Sequence, residues 1–181
     1  MKERLESSMG LAEENQRYRQ IAYLDLSRYR RPNIPGQPGF LVRVLWYLLN
    51  TLFFRGRILG LIPSSTKRMI LKAFGAKIGV GLVCKPGVSI KSPWFLNIGE
   101  HVWLGEGSWI DNHCEVLIGS NSCISQGAYI FTGNHDWSKE TFDYFSKPIS
   151  IGEGVWIPAF AIVYPGETIP SHVVLRPNNG R

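Results

Sequence analysis

Four histidines, three cysteines and a few carboxylates and amides are the residues of this 181-residue chain best suited to chemistry. His101, His113 and His172 each stand three residues after an aliphatic residue (Ile98, Ile110, Ile169) of a repeating pattern, at turn positions expected to face solvent. His135 stands apart, within Thr132-Gly133-Asn134-His135-Asp136-Trp137, beside the one segment that interrupts the repeat. Imidazole titrates near neutral pH and is the natural general base there. Moving an acyl group from a thioester to a hydroxyl needs such a base and donors for the oxyanion, and no covalent intermediate. Asp136 reads either as a turn residue or as a charge partner for the ring.

The elements that position these groups follow from spacing. From Ile78 onward an aliphatic residue recurs every six positions: Ile78, (Cys84), Ile90; Ile98, Leu104, Ile110; Ile118, Ile124, Ile130; Ile151, Ile157, Val163, Ile169, Leu175. A hexapeptide is one short strand and a turn, and three of them close a triangular coil. Glycine follows the aliphatic at Gly79, Gly99, Gly105, Gly119 and Gly152, where it is expected to supply the dihedral of the turn. The residue two before is small or β-branched (Val88, Val102, Ser108, Ser122, Ala128, Val155, Ala161), which lets the corner bend. Ile90 to Ile98 and Ile110 to Ile118 are eight apart and Ile130 to Ile151 twenty-one, so one corner carries two extra residues and then fifteen. An excursion loop over about 131–150 is predicted at that corner. Residues 78–181 are thus read as one β-helical prism and 1–77 as a leader and helices.

On this prism Cys84 points inward and reads as core, while Cys114 and Cys123 lie on the surface without an evident base. An odd number of cysteines with no CxxC spacing disfavours a disulfide framework or zinc ribbon and fits a reducing compartment. His101 and His172 share a corner but lie three coils apart, roughly 14 Å at the strand spacing. His113 is on another corner. No metal is expected within a subunit, and a site across subunits stays open. Asp111 and Asn112, one coil before His135, are either polyol contacts or ordinary corner residues. Trp156 and the loop aromatics Phe142, Tyr144 and Phe145 either line a groove or cover the prism.

Ahead of the repeats, residues 1–20 read as a charged leader with no apolar signal segment, and 21–39 as a loop rich in Pro and Gly. Phe40 to Phe54 is too short, and too closely flanked by Arg43, Arg55 and Arg57, for a comfortable membrane span. It reads as a helix packed on the prism or a partner, as an interfacial helix touching an anionic leaflet through residues 40–57, or, last, as a true span. A second helix is expected from about Ser65 to Phe74, capped by Ser64 or Ser65 and closed by Gly75 in the left-handed region. Residues 1–77 carry 14 Lys/Arg against 5 Asp/Glu, and 78–181 carry 6 against 9. A uniformly basic nucleic-acid binder would not divide this way, so no nucleic-acid partner is expected.

The runs Phe74-Gly75-Ala76-Lys77-Ile78-Gly79, Ile124-Ser125-Gln126-Gly127-Ala128-Tyr129, Thr132-Gly133-Asn134-His135-Asp136, Pro148-Ile149, Gly154-Val155-Trp156-Ile157 and Tyr164-Pro165-Gly166 resemble the hexapeptide-repeat polysaccharide O-acetyltransferases. The likeness is to the colanic-acid-biosynthesis acetyltransferase type, related to the maltose and galactoside acetyltransferases, and covers about residues 23–175. It implies a mostly β protein, a left-handed parallel β-helix with an N-terminal helical segment. It further implies a cytoplasmic homotrimer, with acetyl-CoA in the groove between neighbouring prisms and a saccharide acceptor. His135 inherits the general-base role, and Trp156 and Ala159 match positions lining the CoA groove. Asp111 and Asn112 lie in the coil that offers acceptor-binding residues, and Asn134 joins them beside His135. Where the family continues through a Gly-Ala-Gly turn, a Thr-Lys pair and a closing segment, this chain has Leu175-Arg176-Pro177-Asn178-Asn179-Gly180-Arg181. That departure implies a missing last coil with part of the CoA contacts. It keeps a second reading open, a catalytically silent trimeric scaffold. A third, a metal-dependent hydratase on the same scaffold, is disfavoured by the histidine spacing.

Overall fold

In the computed structural model, residues 23–56 and 59–176 are described. The leader read over 1–20, Arg57 of the expected surface segment and the closing residues 177–181 lie outside them. The chain divides into two compact units: the described part of Met1–Arg31 with His135–Tyr144, and Pro32–Asn134 with the described part of Phe145–Arg181.

In the larger unit, two- and three-residue strands stack in parallel into three sheets. The first holds β1 (Lys77–Ile78), β4 (Leu96–Ile98), β7 (Val116–Ile118), β12 (Ile149–Ile151) and β15 (Thr168–Ile169) in that order. The second holds β2 (Val83–Cys84), β5 (Trp103–Leu104), β8 (Cys123–Ile124) and β13 (Trp156–Ile157). The third holds β3 (Ser89–Ile90), β6 (Trp109–Asp111), β9 (Tyr129–Phe131) and β14 (Ile162–Val163). The register stacks like on like. Ile78 pairs with Ile98, Ile98 with Ile118, Ile118 with Ile151 and Ile151 with Ile169. Cys84, Leu104, Ile124 and Ile157 form a second column, and Ile90, Ile110, Ile130 and Val163 a third. This is the three-sided coil that the six-residue spacing predicts. Every inward position from Ile78 to Ile169 is buried, and Leu175 packs partly buried on the same core. Each such side chain is worth about 1.5–3 kcal/mol when fully buried, so the columns are the main stabilising term.

The glycines after the inward aliphatics serve a different need from the one expected. Gly119 does not occupy the left-handed region. A Cβ there would instead collide with the backbone carbonyl of Gly152 in the next coil. Coil-to-coil spacing, rather than turn dihedral, selects glycine.

The first coil would expose an unpaired edge, and the N-terminal helices cover it. Helix α1 (Phe40–Leu49) runs on into a wider π-type turn, Asn50–Arg55. Trp46 and Phe54 are buried from this element, and the Trp46 indole N–H donates to the Ile90 carbonyl at 3.0 Å. Helix α2 (Ser64–Ala73) ends at Gly75, whose φ is +92° as expected for a closing glycine. Its start differs from expectation, because Ser64 is already helical and no side chain caps the end. The Ser64 hydroxyl instead accepts from the Cys84 N–H at 2.9 Å, tying the helix to the prism. The opposite side of α1 is open: Phe40, Leu41, Leu45 and Leu48 are exposed. Among the described residues no helix is long and apolar enough to cross a membrane.

The excursion begins after Thr132, which is buried, and the chain rejoins the first sheet at Ile149. Between them β10 (Gly133–His135) pairs with β11 (Tyr144–Ser146), and the Lys147 N–H donates to the Thr132 carbonyl at 2.9 Å.

Candidate active site

His135 closes β10 and is half-buried in the smaller unit. Its Nδ1 lies 2.8 Å from the carbonyl oxygen of Phe142. A carbonyl can only accept, so Nδ1 carries the proton and the basic lone pair of the neutral ring is on Nε2. The imidazole also stacks on the Phe142 ring, with centroids 4.3 Å apart and planes within 3°. Tyr144 meets it edge-on at 5.5 Å and Tyr29 at 5.4 Å. Phe142 has φ of +51°, a region that costs a non-glycine residue about 1–3 kcal/mol. One residue therefore supplies the imidazole with both a ring to stack on and a carbonyl to bond.

The rest of the loop holds this pair in place. The Asp136 carboxylate accepts from the Ser138 N–H at 3.0 Å and from its hydroxyl at 2.5 Å. These bonds, closing a turn from Asp136 to Ser138, hold its carboxyl below the ordinary carboxylate range. Its N–H donates to the Asp143 carbonyl at 2.8 Å. The Asp143 carboxylate takes the Thr141 hydroxyl at 2.7 Å and the Lys139 amine at 3.0 Å, which lower it likewise. On the Tyr29 side, the Asp25 N–H donates to the Glu140 carbonyl at 3.0 Å and Arg28 pairs with the Glu140 carboxylate at 2.7 Å. Composition alone read residues 21–39 as a loop and gave no hint of Tyr29. Nor does any sequence signal announce a backbone carbonyl seven residues downstream of a histidine. Asn134, next to His135, is exposed.

In the larger unit Asp111 sits at the centre of a polar cluster on the third face. Lys91 Nζ is 2.7 Å from one carboxylate oxygen, and the Tyr129 hydroxyl donates to the other at 3.2 Å. Burial, with the Asp111 charge and hydrogen bond behind it, pushes Tyr129 up to about 12. The ring of His113 stands 3.8 Å from Asp111. Burial first, and the Lys91 charge second, pull His113 below its usual range against the raising effect of Asp111. His101 and His172 are exposed as expected; His113 is not, because it turns in towards Asp111. Asn112 is fully buried, donating to the Ser92 carbonyl at 2.8 Å and accepting from the Ser92 N–H at 3.0 Å. Both ends of its amide lock the corner to the coil before, a structural engagement in place of the polyol contact considered from sequence.

On the second face the outward residues Val83, Trp103, Cys123 and Trp156 are in register. They line a surface cavity of about 650 Å³ with Lys85, Ser125 and Gln126. Trp103 and Trp156 are about half exposed, and the Trp156 indole donates to the Ser125 hydroxyl at 2.8 Å. Ala159 falls in the turn after β13 and is outside this lining. Beyond it, Leu175 N–H donates to the Trp156 carbonyl at 2.9 Å, so a further layer is stacked on this face. Cys84 is core: burial holds its thiol up at about 11, which leaves it inert as a nucleophile. Among the described residues no group of three His, Cys, Asp or Glu converges as a metal site would require.

No family model matches the chain. It is 34% identical over 153 residues to the candidate colanic acid biosynthesis acetyltransferase WcaF of Escherichia coli strain K12, covering 83% of this chain and 82% of that protein. It is 29% identical over 109 residues to nodulation protein L of Rhizobium leguminosarum, covering 55% of this chain and 54% of that one. Among solved structures, a hexapeptide-repeat acetyltransferase of Vibrio cholerae complexed with acetyl coenzyme A superposes with a TM-score of 0.65 at 14% identity, over 82% of this chain and 86% of that one. A maltose O-acetyltransferase of Clostridium difficile does so with a TM-score of 0.60 at 22% identity, over 75% and 74%. The fold shared with them is the left-handed parallel β-helix.

Proposed function

The chain belongs to the hexapeptide-repeat acetyltransferase family of the colanic acid biosynthesis type, and from that premise we propose that it moves the acetyl group of acetyl-CoA onto a saccharide hydroxyl with His135 as general base. The observation that carries the proposal is the 2.8 Å bond from His135 Nδ1 to the Phe142 carbonyl, which sets the lone pair on Nε2. In the reaction Nε2 takes the proton of the acceptor hydroxyl as its oxygen attacks the thioester carbonyl carbon. The tetrahedral oxyanion then collapses, the C–S bond breaks, and the imidazolium returns its proton to the departing CoA sulfur. A base so placed contributes about 10²–10⁴-fold.

Acetyl-CoA is assigned to the second face, where Trp156 and Trp103 offer an apolar wall and Lys85 a cation. Two half-exposed tryptophans in register on one sheet also support a partner prism at that face; the homotrimer, and a place for Ala159 along the CoA groove, rest on the family likeness. Asp111 and Asn134 are the acceptor-facing candidates, and Asn112 acts by holding the Asp111 corner. The open apolar side of α1 and the basic surplus of residues 1–77 support peripheral contact of residues 40–57 with the inner leaflet of the membrane, from a cytoplasmic location. Thiol release from acetyl-CoA over a panel of saccharides, with wild type beside His135→Ala, tests the reading. A variant as fast as wild type removes His135 from the reaction.

A further inference from the structure

A second cavity, of about 380 Å³, lies between α1 with its π-type turn and the first coils of the third face. Its size is within the range of small-ligand sites. Among the described residues three cations line it, Arg43 and Arg55 from the helical element and Lys91 from the prism, and no Asp or Glu does. Lys91 is balanced by Asp111 at 2.7 Å, whereas Arg43 donates to the neutral Gln37 amide at 2.8 Å. Among the described residues neither Arg43 nor Arg55 has a carboxylate within ion-pair distance, so the cavity holds two uncompensated guanidinium groups. Guanidinium offers a planar fork of donors that matches phosphate oxygens. The remaining wall is aromatic: Tyr47 and Trp109 are about half exposed or more, and Trp94 beside them has a buried indole N–H with no acceptor among the described residues. Flat rings suit the C–H face of a sugar, and an indole donor suits a ring hydroxyl.

We propose that this cavity binds a phosphate-bearing saccharide, with its sugar against Trp109 and its phosphate on Arg43 and Arg55. The assignment deepens the acetyltransferase reading, because it makes the acceptor a glycosyl phosphate or diphosphate. Binding by itself does not depend on that reading. Two sources share the chemistry, a nucleotide-linked sugar and a lipid-linked one. A glycosyl phosphate is a small anion, and the helical element that supplies both arginines also presents the open apolar side at Leu41, Leu45 and Leu48.

The test is a titration of the full chain, without acetyl-CoA, followed by calorimetry and tryptophan emission. The probes are glucose, glucuronate, glucose 1-phosphate, UDP-glucose and a short-chain polyprenyl diphosphate glucose in detergent. Glucose 1-phosphate is expected to bind at least tenfold more tightly than glucose or glucuronate. The double variant Arg43→Ala/Arg55→Ala is expected to lose that preference while keeping the thermal midpoint of wild type, since both residues are exposed. Trp109→Ala is expected to weaken glucose and glucose 1-phosphate alike. Tighter binding of one diphosphate over the other names the source, and either result sustains the proposal. Equal binding of glucose and glucose 1-phosphate, glucuronate as tight as the phosphate, or a double variant with an unchanged preference overturns it. Because no acetyl donor is present, an inactive enzyme that still prefers the phosphorylated sugar would sink the acetyltransferase reading and leave this one standing.

Discussion

The amine of Lys67 lies 3.0 Å from the carbonyl oxygen of Cys84 and 3.2 Å from that of Lys85. Lys67 is fully buried, with its cation 5.9 Å from the Phe54 ring centroid. Arg68, next in α2, donates to the carbonyls of Ile78 and Gly79. These four acceptors belong to the first coil, whose outer edge has no strand to pair with among the described residues. Two cations from one helix thus terminate a stack that would otherwise continue, and a buried lysine is tolerated because it is the donor that the edge needs.

Lys67→Ala removes charge-assisted bonds and leaves a void. The expected loss is about 3 kcal/mol, near the cost of a hydrogen bond to a charged group with a cavity added. Lys67→Met refills the volume without the donors and is expected to recover only part of it. Urea unfolding checks both. Equal stability of Lys67→Met and wild type would show that the edge carbonyls need no donor.

Phe142 is expected to act on turnover through the position of His135. Phe142→Ala removes the stacked ring and keeps the backbone carbonyl, so the imidazole retains its bond and loses its orientation. A fall in kcat of about tenfold, with KM for acetyl-CoA within twofold of wild type, is the expected signature. An unchanged kcat would mean that the carbonyl alone fixes the ring.

His113 gives the larger unit a pH dependence. Its folded pKa is depressed by burial and by Lys91, below an ordinary value near about 6.5. The unfolded chain therefore binds the proton first, and stability present above pH 6.5 is lost as pH falls through the folded value. Thermal midpoints between pH 7.5 and 5 are expected to fall less steeply in His113→Asn than in wild type. Parallel slopes would remove His113 from the acid limb.

Tyr129 gives the opposite limb. Its folded pKa of about 12 lies above the ordinary value near about 10, so its contribution is present below 10 and lost as pH rises through 12. Tyrosinate absorbance should show one group titrating after the rest, absent in Tyr129→Phe and moved downward in Asp111→Asn. A wild-type curve with no late group contradicts the Asp111–Tyr129 bond.

The prism was legible because its cause is periodic. Ile98, Ile118 and Ile151 are inward for the same local reason, and the irregular gap before Ile151 still returns it to the same column. The surroundings of the candidate base were legible only in part. His135 is singled out in the sequence because it stands where the repeat breaks. Its partners are a backbone carbonyl and a ring from Phe142 and a ring from Tyr29, brought in by loop closure that leaves no local pattern. Asn112 misled for a related reason, since an amide that locks a corner and one that binds a polyol are the same residue type at the same position. Burial decides between them.

The glycines carry the last prediction. Sequence logic assigned Gly119 to a turn that needs unusual dihedrals, and on that view alanine there would cost only backbone strain. The structure gives it an ordinary dihedral and a neighbour at contact distance, the Gly152 carbonyl of the next coil. Alanine would have to push two coils apart at a point where the first sheet continues on both sides, so no flexible side chain can yield. Gly119→Ala is expected to cost about 3 kcal/mol or more, at the upper end of overpacking effects. Gly107→Ala is the contrasting case, with φ of +67° and open space around its Cβ. There only conformational strain acts, about 1 kcal/mol. If the two variants unfold at the same urea concentration, dihedral preference rather than coil spacing explains the glycines, and the close approach of successive coils at Gly119 loses its energetic meaning.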